Sequence, residues 1–274
     1  MNNLFKNLSL QARIIGAFSL MAILILFVTI LGLRGSSQLT EHIEIIADRT
    51  FPSSIALWKI NEGQTQIQSS ERSLLNPFID NTRQQKELNR IQSAWVQINE
   101  GLSTYEKVAH TSKEEDLYQA FLPLWKNWEA THKEFLDLNA KYQEIGITNP
   151  RREQIRLLEQ GKGNSPEMAK AKAAIEALTA MNEQTFTSKA PAFQKATNAL
   201  MTLLAETKQV ADLANSSAKK DISGVKSGSI ASLFIGPPLA LLFGVYFSLS
   251  IAKPLGAKIG RVIQLAERIS AGDL

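Results

Sequence analysis

Two stretches of the chain carry no charge at all. Residues 14–33 (IIGAFSLMAILILFVTILGL) lie between Arg13 and Arg34, and residues 227–252 (SGSIASLFIGPPLALLFGVYFSLSIA) lie between Lys226 and Lys253. Each reaches the roughly 20 residues a helix needs to cross a bilayer. A secretory signal core usually spans about 7–15 residues and ends at small side chains. The first stretch instead runs into GLRGSS with Arg34 at the junction. It reads as an uncleaved anchor rather than as a signal peptide or a buried core helix.

Between these stretches the apolar positions repeat with the alternating steps of four and three that mark helices packed lengthwise. The first seam is Leu39, Ile43, Ile46, Thr50, Ser53, Leu57, Ile60, Gln64, Ile67, Glu71, Leu74 and Phe78. A second runs Leu88, Ile91, Trp95, Ile98, Leu102, Tyr105, Ala109, and a third runs Leu117, Phe121, Leu124, Trp128, Thr131, Phe135, Leu138, Tyr142, Ile145. A fourth, Phe193, Ala196, Leu200, Leu203, Thr207, Val210, Ala214, thins to small residues. The connections NPFIDNT (residues 76–82) and HTSKEED (residues 110–116) are short and polar. Thr111 or Ser112 is placed there as an N-cap, with Glu114 or Glu115 in the first turn. Short connections make neighbours antiparallel, so four seams predict an all-α, membrane-anchored antiparallel four-helix bundle.

Three places disturb this pattern. Pro52 and Pro123 fall inside the first and third seams, where each should kink or briefly interrupt its helix. Residues 146–190 do not fit four equal helices: one fourth helix over 166–226 would run about 90 Å against about 60 Å for the first. An extra helical excursion over 150–184 is therefore expected at the end far from the membrane. In the second apolar stretch, Gly236-Pro237-Pro238 removes two helix donors and predicts a kink that neighbouring groups must accommodate.

Charge orients the chain. Lys6 and Arg13 precede the first apolar stretch, and Lys253, Lys258, Arg261 and Arg268 follow the second. By the positive-inside rule both termini are expected in the cytoplasm. The expected order is a cytoplasmic tail over 1–13, a first span over 14–33, an outside sensor segment over 34–226, a second span over 227–252, and a post-span segment over 253–274. The formal net charge of +4 gathers mostly at membrane flanks, so a bilayer is an expected partner and nucleic acid is not. With no cysteine, the outside segment has no disulfide framework or thiol chemistry.

After Lys253-Pro254 the apolar positions Leu255, Ile259, Val262, Ala266 and Ile269 again step by four and three, ending in GDL. A helix opened by proline directly after a span, and seamed for packing, can receive motion from that span. This segment resembles the first helix of a HAMP domain, the signal-converting module of bacterial transmembrane receptors, with Pro254, Glu267, Gly272, Asp273 and Leu274 matching its pattern. The segments NLSLQARIIGAFSLMAILILFVTILGLRGSSQL and INEGQTQIQSSERSLLNPF, over a bundle of this kind, resemble the sensor region of methyl-accepting chemotaxis proteins. That resemblance covers residues 1 to about 145 and 188–274. It implies a homodimer in the inner membrane with a periplasmic sensor domain. It further implies a small-molecule chemoeffector or ligand-loaded binding protein as input, and a small displacement of the last bundle helix passed through the second span and HAMP. A cytoplasmic histidine kinase with its adaptor would be the output. The methylated helices and kinase-contacting tip of such receptors are not among these 274 residues, so the chain is expected to be a piece of a longer receptor.

The candidate ligand residues are polar positions in the first seam. Gln64 and Glu71 stand where apolar residues belong, with Gln68 and Arg72 on adjacent faces. Such residues can simply fix register, as a buried polar residue does in coiled coils. Alternatively, the planar donor fork of Arg72 suits a carboxylate. In the aspartate and serine receptors of the resembled family, several arginines on this helix hold the amino acid's carboxylate; here Arg72 stands alone at that height, with Arg49 nearer the membrane. Thr187, with Thr185 and Lys189, could face Arg72 from the fourth helix or form a solvated turn. Trp58, Trp95, Trp125 and Trp128 could form an aromatic box, although Trp95 and Trp128 fall in seams and fit a plain core. His42, His110 and His132 have no second ligand at helical spacing, so no metal is expected, and Arg151–Glu153 reads as a charged loop. No nucleophile elbow or phosphate loop occurs, which points away from an enzyme and calls for no cofactor. The other readings are the sensor half of a histidine kinase or cyclic-dinucleotide enzyme, and a structural anchor that senses nothing.

Overall fold

A computed structural model describes residues 9–271, which are helical with no strand among them. Gly272, Asp273 and Leu274 of the HAMP resemblance lie outside the described residues. In chain order the helices are α1 (Leu10–Glu44), a π-helical turn (Ile45–Thr50), α2 (Phe51–Leu74), α3 (Asn81–Lys107), α4 (Ser112–Ile145), α5 (Pro150–Glu159), α6 (Pro166–Gln184), a second π-helical turn (Thr185–Lys189) and α7 (Ala190–Ser270). By contacts the chain divides into two compact units, one of residues 43–215 and a second of residues 1–42 with 216–274.

Local chemistry sets the ends of the elements within 43–215. Asp80 caps α3 by accepting the Arg83 backbone N–H at 2.8 Å. Thr111 and Glu114 form a reciprocal capping box at the start of α4, as its sequence predicts. Gly146, at φ 73°, ends α4 in the left-handed conformation that glycine adopts without strain. Asn149 and Ser165 cap α5 and α6, each with proline in the first turn.

Both π turns are explained by prolines. The first ends where Phe51 N–H reaches back to Ile46, and the second where Ala190 N–H reaches back to Thr185. Pro52 and Pro191 follow immediately. A proline inside a helix lacks the donor and crowds the carbonyl four residues back; a wider turn just before it relieves that crowding while keeping the backbone helical. The interruption expected at Pro52 is thus this turn, whereas α4 runs through Pro123 unbroken. The segment 150–184 is divided: α5 is a short helix of its own, and α6 begins a helical run that the π turn carries into α7. Leu157 of α5 packs with Met168 and Ala171 of α6, while Ala174 and Met181 further along α6 already belong to the main core.

That core shows the bundle's topology. Gly63 approaches Ala94 and Ile98, while Gly101 approaches Ala56 and Ile60. Rising positions on α2 therefore meet falling positions on α3. Tyr105 pairs with Tyr118 and Trp95 with Trp128 across α3 and α4; Gln64 pairs with Thr197, and Glu71 with Lys189, across the first and fourth helices. Neighbours are antiparallel throughout. The first seam is buried at every position from Thr50 to Leu74, whereas Ile43 before the π turn and Phe78 in the loop are exposed. The buried face of α4 is Tyr118, Phe121, Trp125, Trp128, His132, Phe135, Asn139 and Tyr142. Four of the nine expected third-seam positions are thus displaced by one residue, which puts His132 rather than Thr131 in the core.

The second unit holds the uncharged stretches. Their most apolar eighteen-residue windows have mean hydropathies of 2.8 and 1.8, with none of the window buried. Large side chains such as Phe18, Ile25, Phe234 and Leu241 are exposed. These helices are long and apolar enough to cross a membrane. α7 remains helical through Gly236-Pro237-Pro238. Within this unit Gly35 packs against Val225, and His42 Nε2 lies 2.9 Å from Asp221.

The packing of residues 43–215 generates two predictions. A β-carbon at position 101 would stand 2.7 Å from the Ala56 carbonyl oxygen and 2.9 Å from Ile60. Gly101→Ala gains about 1 kcal/mol of helix propensity but overpacks against backbone that cannot move aside, and is expected to lower stability by about 1–2 kcal/mol in thermal unfolding. The second concerns Glu114, which is buried and accepts from Arg49 Nη2 at 2.6 Å and from the Thr111 N–H and hydroxyl. Burial works to raise its pKa, but the Thr111 and Arg49 donors overcome that and hold the carboxyl below its ordinary value of 4.5. A depressed folded-state pKa contributes stability above the ordinary value that is lost as pH falls through the depressed one. Glu114→Gln is expected to cost about 1–3 kcal/mol at neutral pH, with the gap from the parent closing in acid.

Candidate functional site

Gln64 and Glu71 of the first seam are both fully buried. At Gln64 the side-chain oxygen accepts from the Thr197 hydroxyl at 3.1 Å, while its amide nitrogen has no partner. Glu71, two helical turns on, is the centre of a larger arrangement. Its Oε1 lies 2.8 Å from His132 Nδ1, and the Trp95 indole N–H donates to His132 Nε2 at 3.1 Å. Because Nε2 accepts, the pattern assigns the ring proton to Nδ1, which donates to Glu71. On the other side Lys189 Nζ lies 3.0 Å from Glu71 Oε2 and 3.7 Å above the Phe135 ring.

Lys189 is only 3 % exposed. Burial pushes its pKa down, the Glu71 carboxylate draws it back up, and the nearby Arg72 guanidinium adds to the lowering. The ammonium contacts Glu71 as an ion pair but finds no acceptor aligned for a hydrogen bond. Transfer of such a charge out of water is costly, and its retention depends on what surrounds it.

Beside this pair a cleft of about 300 Å³ opens, walled by Leu75, Trp128, Phe186 and Phe193, with Gln68, Glu71, Arg72, Thr185 and Lys189 as its polar lining. Most of the wall is apolar. Arg72 is exposed and Trp128 fully buried, with the Trp128 indole N–H unpartnered. Of the residues singled out from the sequence, Gln68, Glu71 and Arg72 come together here, and Thr185 and Lys189 join them. Gln64 sits in the core outside the lining. Thr187 is exposed and donates to the Glu183 carbonyl at 2.7 Å; it lies on another face of the turn from Thr185 and Lys189. Pro254 and Glu267 lie within α7, where the Glu267 carbonyl accepts from the Ala271 N–H at 3.0 Å.

In the sequence His132 reads as an isolated histidine because Thr131 occupies the expected seam. Recentring α4 on Tyr118, Phe121, Trp125 and Trp128 is the signal that finds it. Trp125 and Trp128 meet with ring centroids 4.6 Å apart and Trp95 stacks on Trp128, whereas Trp58 is exposed, so the aromatic cluster contains three tryptophans. Among the described residues no group of three or more His, Cys, Asp or Glu could hold a metal ion. Chemically, the arrangement is a small apolar cleft with cationic and neutral donors at one side, suited to non-covalent binding of a group that accepts hydrogen bonds.

A family model for the four helix bundle sensory module for signal transduction matches residues 7–185. No curated protein and no solved structure matches the chain.

Lys189→Met would leave Glu71 buried against an apolar side chain with only His132 to offset its charge. A loss of about 3 kcal/mol is expected in thermal unfolding of the full chain. The pair Glu71→Gln with Lys189→Met removes both charges and should recover most of that loss, which a double-mutant cycle measures.

Proposed function

The chain belongs to the family of four helix bundle sensory modules for signal transduction, and from that membership we propose that it is the input region of a transmembrane chemoreceptor. The observation that carries this reading is a sensory bundle whose first and last helices include apolar stretches with none of their most apolar windows buried. In this reading the bundle lies in the periplasm of an inner-membrane receptor, and both ends of the chain lie in the cytoplasm. The positive flanks Lys6, Arg13, Lys253 and Lys258 support that orientation.

The signal enters at the bundle, reaches α7, and leaves through the second span and a HAMP-type helix to control a histidine kinase through its adaptor. A binding module of this kind performs no chemistry of its own. Two copies act together: Phe51, Ile55 and Trp58 form an exposed apolar row at helical spacing on α2, a surface suited to self-association. The effector is a small molecule taken up directly, since a cleft is present beside the buried ion pair.

The test joins this chain, through Ala271, to the kinase-control region of a chemoreceptor of known output. A β-carbon at position 35 would lie 3.6 Å from Val225 Cβ, within the roughly 3.5–4.5 Å a disulfide spans, and the chain has no cysteine of its own. In the double variant Gly35→Cys with Val225→Cys, a disulfide between the two introduced thiols therefore pins α1 to α7 just before the second apolar stretch. Kinase activity of the hybrid in membranes should shift on oxidation and return on reduction. A hybrid that supports kinase activity yet ignores the lock would refute relay through α7.

A further inference from the structure

The lining of the cleft beside Glu71 is short of aligned acceptors. Lys189 Nζ, in a side chain 3 % exposed, has Glu71 Oε2 at 3.0 Å as its counter-ion but no acceptor aligned for a hydrogen bond, and the fully buried Trp128 on the same lining has an indole N–H without a partner. A buried donor left unsatisfied costs free energy that a ligand acceptor can return. Arg72 adds a guanidinium on the same lining, and no described group pairs with it. Against these donors the lining has one carboxylate, Glu71, whose Oε1 is engaged by His132 and whose Oε2 faces Lys189. Two cations against one anion leave the cleft with a net positive charge. The rest of the wall, Leu75, Phe186 and Phe193, is apolar, and Phe186 is 73 % exposed.

We propose that this cleft binds a small organic carboxylate with an apolar body, the carboxylate held by Lys189 and Arg72 and the body packed against Phe186, Phe193 and Leu75. A dicarboxylate or a free amino acid fits less well, because the lining offers no second cationic pair and no anion free to hold an ammonium. Its volume of about 300 Å³ lies at the lower end of small-molecule sites, which restricts the body to one ring or a short chain. The Glu71–Lys189 pair is then the element the ligand competes with: a carboxylate supplies Lys189 with acceptors that Glu71 does not align to give. Lys189 closes the second π turn, so ligation acts on the residue where the fourth helix is wound most loosely. This assignment rests on the sensory reading above and names its ligand class.

The test uses the full chain in lipid nanodiscs, with benzoate and hexanoate as probes and benzamide and hexanamide as their neutral counterparts. At least one carboxylate should raise the melting temperature with concentration, and its amide should not. Arg72→Gln, at an exposed position that carries no packing, should weaken that carboxylate about tenfold, the worth of one charge-assisted hydrogen bond. Arg72→Lys should recover part of the loss. Lys189→Met should abolish binding; because that variant also loses stability, Arg72→Gln decides. The proposal is overturned if neither carboxylate binds, if the amide binds as well as its acid, or if Arg72→Gln leaves affinity unchanged. Binding is read on this chain and relay on the kinase hybrid, so the two readings fail separately. A carboxylate that binds the chain without moving kinase output would leave the cleft standing and sink the relay, and a disulfide lock that works while no carboxylate binds would do the reverse.

Discussion

A single buried carboxylate links all four helices of the bundle. Trp95 on α3 donates to His132 on α4, His132 donates to Glu71 on α2, and Glu71 faces Lys189 at the end of the second π turn. Each link has both partners wholly or largely out of water, and the two charged ends would be expensive to bury singly. The chain of contacts therefore holds register at one level of the bundle more strictly than apolar packing does, since leucines tolerate sliding and an ion pair does not. The surrounding core, from Trp128 and Phe135 to the tryptophan cluster, shields these groups from solvent. Removing any one member strands the others.

The same level of the bundle is where regular helical winding is relaxed. The second π turn ends on Lys189, and its cause is Pro191, just as Pro52 accounts for the first. These two helices pass their prolines by a widened turn, whereas α4 passes Pro123 without one. Thr185 and Lys189, four residues apart, share the buried face of this turn that lines the cleft, while Thr187 between them is exposed on another face.

Much of this is legible in the pattern of apolar positions. The all-α class, the antiparallel bundle, the capping box at Thr111 and the buried run from Thr50 to Leu74 all follow from periodicity and cap chemistry, which act locally. The third seam shows the limit of that reading. Steps of four and three fix spacing but leave phase to the bulkiest residues, and a count from Leu117 puts Thr131 inward where Trp125 and Trp128 in fact bring His132. The segment 150–184 divides differently from its sequence reading for a related reason: the fourth helix is longer than the first, and α5 packs along its extra length, an arrangement that no local signal records. Glu71 and Arg72 stand out in the sequence because they break or flank an apolar seam. Lys189 is noticed only as a neighbour of Thr185 and Thr187 that could face Arg72; its pairing with Glu71, more than a hundred positions away across the bundle, leaves no local signal.

The glycines of α2 and α3 have a mechanical consequence. Gly63 receives Ile98 and Gly101 receives Ile60, a reciprocal pair of sockets within about one turn of each other along the helix pair. A displacement of either helix along its axis by even one residue's rise, about 1.5 Å, would press an isoleucine against backbone. Helices two sockets deep in one another cannot shear, so α2 and α3 behave as one rigid plate. The opposite side of the bundle is held differently: α6 and α7 present alanines such as Ala174, Ala192 and Ala196 to their neighbours, and resistance to sliding there falls to polar contacts such as Glu71–Lys189 and Gln64–Thr197.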